Sequence, residues 1–220
     1  MTPEQLPLDL GHRPALGRSD FLVAPSNAEA VAWLDRWPLW PAPALALYGP
    51  KGSGKTHLAH AFAARAGAHF IDPTTLATQR VPVLLGDAKA VIVDDAPRAA
   101  AEPLLHLYNV LAERRGHLLL GAREPPAHWA IALADLRSRL LACPAVALAP
   151  PDEALVGALL VKLFADRQLA VGDGVVTYLT LRLERSFDAA LRAVAALDQA
   201  ALAEQRRITV PLARRVLGFD

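Results

Sequence analysis

Eight residues, Gly49-Pro50-Lys51-Gly52-Ser53-Gly54-Lys55-Thr56, follow the spacing G-x-x-x-x-G-K-[ST], which suits the binding of a polyphosphate. Gly49, Gly52 and Gly54 let successive backbone N–H groups turn inward around an anion, with Pro50 and Ser53 completing the loop. A helix beginning at the end of the loop adds the positive end of its dipole. Lys55 is then placed to reach the β- and γ-phosphates and the Thr56 hydroxyl to hold Mg²⁺, with His57 following on the first helical turn. A glycine-rich turn without a ligand would need neither the lysine nor the hydroxyl. Nucleotide binding, of ADP or ATP, is the expectation.

Two further clusters carry charge. Ala90-Val91-Ile92-Val93-Asp94-Asp95 is an apolar run ending in paired carboxylates. Asp94 is placed to hold the Mg²⁺ shell through water, and Asp95 to orient an attacking water. Asp135-Leu136-Arg137-Ser138-Arg139-Leu140 sets two arginines around a serine. One of them can act as a finger that balances transition-state charge in a neighbouring subunit's site, an effect worth roughly 10³–10⁵ in rate. On spacing alone, a finger and a pair of solvated surface arginines are equal readings.

These clusters need a scaffold, and the apolar pattern supplies one. Short apolar runs at Ala44–Tyr48, Ala68–Asp72, Ala90–Asp94, Leu118–Ala122 and Ala145–Leu148 read as strands buried on both faces. Helical stretches separate them: His57–Ala64 closing at Gly67, Glu102–Arg114 and Leu133–Leu141. The alternation predicts an α/β fold, a five-stranded parallel sheet sandwiched by helices. From Pro151 onward only helices are expected, capped by Asp152, Ser186 and Thr209, with a further helix over Gly174–Leu183. Residues 151–220 thus form a small all-helical lid on a base of residues 20–150. Residues 1–19, rich in proline and glycine, read as a flexible tail.

Bulk properties narrow the classes. The chain has 220 residues, is 53% hydrophobic and carries a formal charge of +1, so no global field draws it to nucleic acid. Its single cysteine, Cys143, sits among apolar neighbours and reads as a core residue, in keeping with a reducing compartment. No apolar run reaches the ~18 residues of a membrane span. A cytoplasmic protein that touches no membrane is expected.

In this order the elements resemble the AAA+ ATPases and, within them, the replication initiator DnaA. The resemblance covers about residues 20–217. Asp20-Phe21-Leu22-Val23 with Ser26-Asn27 is similar to the family's adenine-side segment, which implies that Leu22 contacts the nucleotide. Gly54-Lys55-Thr56-His57-Leu58, the Asp94-Asp95 pair, Arg123-Glu124-Pro125-Pro126 and Ser138-Arg139-Leu140 fit as well. The resemblance implies that Arg139 is the arginine finger. The tail segment Gln5-Leu6-Pro7-Leu8-Asp9-Leu10 resembles the motif Q-L-x-L-x-[LF] that docks bacterial proteins on the DNA polymerase sliding clamp. A glutamine amide would make fixed hydrogen bonds, and Leu6, Leu8 and Leu10 would fill an apolar groove.

Joined to a DnaA-like AAA+ core, that tail motif resembles the Hda family, and the function this implies is regulatory inactivation of DnaA. The chain would bind the polymerase III sliding clamp and stimulate hydrolysis of DnaA-bound ATP with a finger supplied in trans. Its own ATPase would be weak or absent. The last helices, despite Arg206, Arg207, Arg214 and Arg215, are expected to serve the lid rather than sequence-specific DNA binding. A homo-oligomer is compatible with the same finger. Two positions depart from the family. Gly121-Ala122 stands where a polar γ-phosphate sensor is usual, and Asp188 stands where the lid carries a sensor arginine, with Arg185 and Arg192 one turn away on either side. ADP is therefore expected to bind at least as tightly as ATP. The alternatives are an autonomous AAA+ ATPase of the helicase-loader type and a clamp–DnaA adaptor that donates no finger.

Overall fold

Side chains alternate across the central sheet and divide the base core in two. Ala44, Ala46, Val91, Val93, Leu118 and Leu120 pack into one apolar cluster. Their neighbours Leu45, Leu47, Ala90, Ile92, Leu119 and Val146 pack into another on the opposite face. Such strands must be covered on both sides, and they are. In this computed structural model, which describes residues 22–219, the sheet order is β2-β3-β4-β1-β5, with every pairing parallel. The strands are β1 (Ala44–Tyr48), β2 (His69–Phe70), β3 (Ala90–Val93), β4 (His117–Ala122) and β5 (Ala145–Ala147).

The helices of the base are α1 (Ala28–Asp35), α2 (Lys55–Ala66), α3 (Val81–Leu85), α4 (Ala101–Glu113) and α5 (Ala134–Ala142). Residues of α3, α4 and α5 join the first cluster, and those of α1 and α2 join the second. Four more helices follow: α6 (Glu153–Asp166), α7 (Val175–Thr180), α8 (Phe187–Glu204) and α9 (Val210–Leu217). They enclose a separate core that includes Leu160, Phe164, Leu179, Val194, Leu197 and Ala213. The expected fold, a five-stranded parallel sheet between helices plus a C-terminal helical lid, is the fold observed.

Element ends differ from the sequence reading for local reasons. At the sheet edge, β2 is only His69–Phe70, because the Asp72 carboxylate accepts from the Thr74 N–H at 2.8 Å and turns the chain. Helix α2 begins at Lys55, two residues earlier than expected, and ends on Gly67 in the left-handed conformation. Helix α7 stops at Thr180, and Leu183 closes back on the Leu179 carbonyl as a turn. The predicted caps form: Asp152 accepts from Leu155 N, Ser186 from Ala189 N and Thr209 from Leu212 N.

Candidate functional site

The glycine loop leaves β1 at the carboxyl end of the sheet, where parallel α/β sheets bind ligands. Gly52 and Gly54 have φ of +79° and +97°, a region that other residues adopt only with strain. Both positions are also crowded by the lid. A Cβ on Gly52 would overlap the Ser186 side chain, and one on Gly54 would stand 2.9 Å from the Phe187 ring. The Phe187 N–H donates to the Gly52 carbonyl at 3.1 Å. His57 stacks on Phe187 with ring centroids 6.1 Å apart. The start of α8 therefore rests on the phosphate loop, and His57 is part of that contact.

Within the loop, the Lys55 ammonium donates to the carbonyls of Gly49 and Pro50, each at 2.8 Å, and lies 3.4 Å from the buried Ser53 hydroxyl. Partial burial pulls the Lys55 pKa below its ordinary 10.5; Asp94 opposes the shift, Arg123 adds to it and Asp95 opposes it. A half-buried cation on a turn of carbonyls, at the start of a helix, fits a phosphate group. The Thr56 hydroxyl donates to Asp94 Oδ2 at 2.6 Å, and Asp94 Oδ1 accepts from the Asp95 N–H at 3.0 Å. A hydroxyl and a carboxylate brought together beside that loop are the hard oxygen donors Mg²⁺ takes, completed by phosphate oxygens and water. Thr56 and Asp94 would hold the ion. Asp95 adopts a left-handed backbone, and its carboxylate lies 3.7 Å from Arg98.

Opposite Asp94 on the adjacent strand is Gly121. A Cβ there would collide with Asp94 Oδ1 and come within 3.3 Å of its Cα. The position expected to carry a polar sensor thus has no room for one while Asp94 holds Thr56. In the lid, Arg192 is ion-paired with Asp188 and Arg185 lies 3.5 Å from Glu153. The Asp188 carboxylate is therefore partnered by a cation within its own helix, and both candidate replacement arginines have carboxylate partners.

Arg123 was legible only as part of a family-like segment, yet it stands at the loop. The Gly49 N–H donates to the Ala122 carbonyl at 3.2 Å, and Arg123 follows directly as an exposed residue. Its charge is felt at Lys55. The signal was in the topology: β4 neighbours β1, so the residue after β4 meets the residue after β1.

Leu22 is partly buried against the lid core, and its carbonyl accepts from Asn27 Nδ2 at 2.9 Å. Arg139 meets an aromatic ring rather than a carboxylate among the described residues. It projects from α5, its guanidinium carbon 5.6 Å from the centre of the Tyr108 ring on α4. Arg137 is exposed. Gln5, Leu6, Leu8 and Leu10 lie outside the described residues. Among the described residues, no helix is long and apolar enough to cross a membrane.

Residues 153–217 match the family described as Hda, lid domain, and residues 45–86 match AAA, the ATPase family associated with various cellular activities. A Haemophilus influenzae relative described as an uncharacterized protein is 28% identical over 190 residues, covering 79% of this chain and 80% of its own. In three dimensions the chain is similar to domain III of the Thermotoga maritima replication initiation protein DnaA, with a TM-score of 0.79, 17% identity and coverage of 94% of this chain and 97% of that one. AMPPCP-bound DnaA from Aquifex aeolicus superposes with a TM-score of 0.67 at 16% identity, covering 84% of this chain and 64% of that one. The Thermotoga maritima RuvB Holliday junction branch migration motor gives 0.64 at 17% identity, with 80% and 61% covered. These likenesses establish a shared AAA+ fold.

Proposed function

As this chain belongs to the Hda family of AAA+ proteins, we propose that it is a replication regulator that inactivates DnaA by stimulating hydrolysis of DnaA-bound ATP. The observation that carries the reading is an Hda-type lid seated on the phosphate loop of a DnaA-like base. The chain's own cradle holds ADP or ATP through Gly49, Gly52, Gly54, Lys55 and Thr56. Mg²⁺ supplies charge neutralisation at the phosphates when bound, with Thr56 and Asp94 as its protein partners. Arg123 adds a second cation at the lip of that cradle.

With Gly121 pressed on Asp94 and the lid arginines ion-paired, this site offers few groups for a γ-phosphate. The nucleotide of this chain is accordingly structural, and ADP binds at least as tightly as ATP. The substrate is the ATP of DnaA, and the group delivered to it is the Arg139 guanidinium. Gln5, Leu6, Leu8 and Leu10 dock on the sliding clamp, which concentrates the chain where DnaA has just acted without adding contacts to the core.

The test is hydrolysis of DnaA-bound ATP in the presence of DNA-loaded clamp. Intact protein should accelerate it, and the Gln5→Ala/Leu6→Ala variant should lose the acceleration. Equal stimulation by both proteins would refute the clamp tether. No stimulation by either would refute the function.

A further inference from the structure

Arg139 is held in an unusual way for a surface arginine. Among the described residues no carboxylate pairs with it, although Asp135 lies one turn earlier on the same helix. Its Nε is buried and has no hydrogen-bond partner. What it meets instead is the face of Tyr108, 5.6 Å from the guanidinium carbon. The backbone beneath is tied to the same tyrosine: the Cys143 thiol lies 3.1 Å from the Arg139 carbonyl oxygen and 3.9 Å from the Tyr108 phenol oxygen. Tyr108 is itself buried in the core cluster under α4 and α5.

We infer that Tyr108 is the positioning residue for Arg139, presenting its guanidinium, uncompensated and pre-oriented, to an anionic group on a partner molecule. The inference rests on the proposed role of Arg139 in DnaA's ATP site. A carboxylate anchor would fix the arginine but cancel the charge it must deliver, as it does for Arg192 and Arg185 in the lid. An aromatic face fixes the planar group by stacking and leaves its charge and its terminal N–H donors free. The buried Nε is consistent with this division: the inner nitrogen packs against the protein and the outer fork remains for the ligand. Burial, reinforced by the Cys143 contact, pushes the Tyr108 phenol up to about 12, so the platform stays neutral at any working pH.

Two measurements test this. The first is the NMR signal of the Arg139 Nε–H, assigned by its loss in Arg139→Ala. It should be shifted by the ring current in the wild-type protein and in Tyr108→Phe, and should lose that shift in Tyr108→Leu and Tyr108→Met. The second is the rate of hydrolysis of DnaA-bound ATP at saturating protein. Tyr108→Leu should lower it by between about tenfold and a hundredfold, the effect of misplacing a transition-state group, with unchanged binding to DnaA. Tyr108→Phe should restore the rate to within about twofold, since it keeps the ring. In the Arg139→Ala background, Tyr108→Leu should cost nothing more. If Tyr108→Leu is unstable, Tyr108→Met and the Nε–H signal still decide the matter. An unshifted wild-type signal, full activity in both aliphatic variants, or an added loss in the Arg139→Ala background would overturn the inference. If Arg139→Ala itself leaves hydrolysis untouched, the finger role proposed for Arg139 fails, and this inference fails with it.

Discussion

Asp94 is engaged on three sides: Thr56 donates to one oxygen, the Asp95 N–H to the other, and Gly121 leaves it the space to sit there. The third condition is the least visible. A sensor side chain at that strand position is not merely missing; introducing one would require Asp94 to move. Wild-type protein should therefore bind ADP at least as tightly as ATP in a calorimetric titration with Mg²⁺. Gly121→Ser should not create an ATP preference. It should weaken both nucleotides, by about 1–3 kcal/mol, because the displaced carboxylate abandons its hydrogen bonds. A Gly121→Ser protein that gains selectivity for ATP would show that the glycine is simply a vacant sensor.

Elements were legible where one local rule sufficed. The strand–loop–helix unit around Lys55 is fixed by the apolar run before it and the glycines within it, and Ala44–Tyr48 appears with the expected bounds. Asp152, Ser186 and Thr209 announce three lid helices by their capping chemistry. Helix α1 was missed because Asn27 does not cap it: the side chain bonds backwards, accepting from Ala24 N and donating to the Leu22 carbonyl. The five-residue α3, with Pro82 inside it, carries too short a pattern to read. The seating of Ser186 and Phe187 on the glycine loop joins residues more than a hundred positions apart, and no local spacing encodes it.

The start of β4 carries a pH dependence of its own. His117 is wedged edge-on against Trp40 and Trp37, at centroid distances of 5.4 and 6.2 Å, beside the Trp40–Phe62 stack. Burial lowers its pKa below the ordinary 6.5, a shift opposed by a hydrogen bond with the Pro38 backbone. Below 6.5 the unfolded chain then binds the proton more readily than the folded one, so this contribution to stability is present above that pH and is lost on acidification. His117→Gln should flatten the fall of the melting temperature between neutral and mildly acidic pH. A variant whose acid profile overlays the wild type would assign the dependence to other groups.

At the scale of the whole molecule, base and lid have separate cores but meet at the nucleotide loop, through the Phe187 N–H to Gly52 bond and the His57–Phe187 stack. Arg139 lies on α5, its guanidinium over the Tyr108 ring of α4. On the proposed reading the nucleotide sits where lid and base meet, and Arg139, half-buried and without a carboxylate partner among the described residues, acts on another molecule. Hydrolysis of DnaA-bound ATP by DNA-clamp-tethered protein, wild type against Arg139→Ala, tests that account most directly. The account predicts that Arg139→Ala keeps its fold, its own nucleotide and its binding to clamp and DnaA, while stimulation falls by roughly 10³-fold or more. Stimulation that survives in Arg139→Ala would contradict it and leave the chain as an adaptor that acts by contact alone.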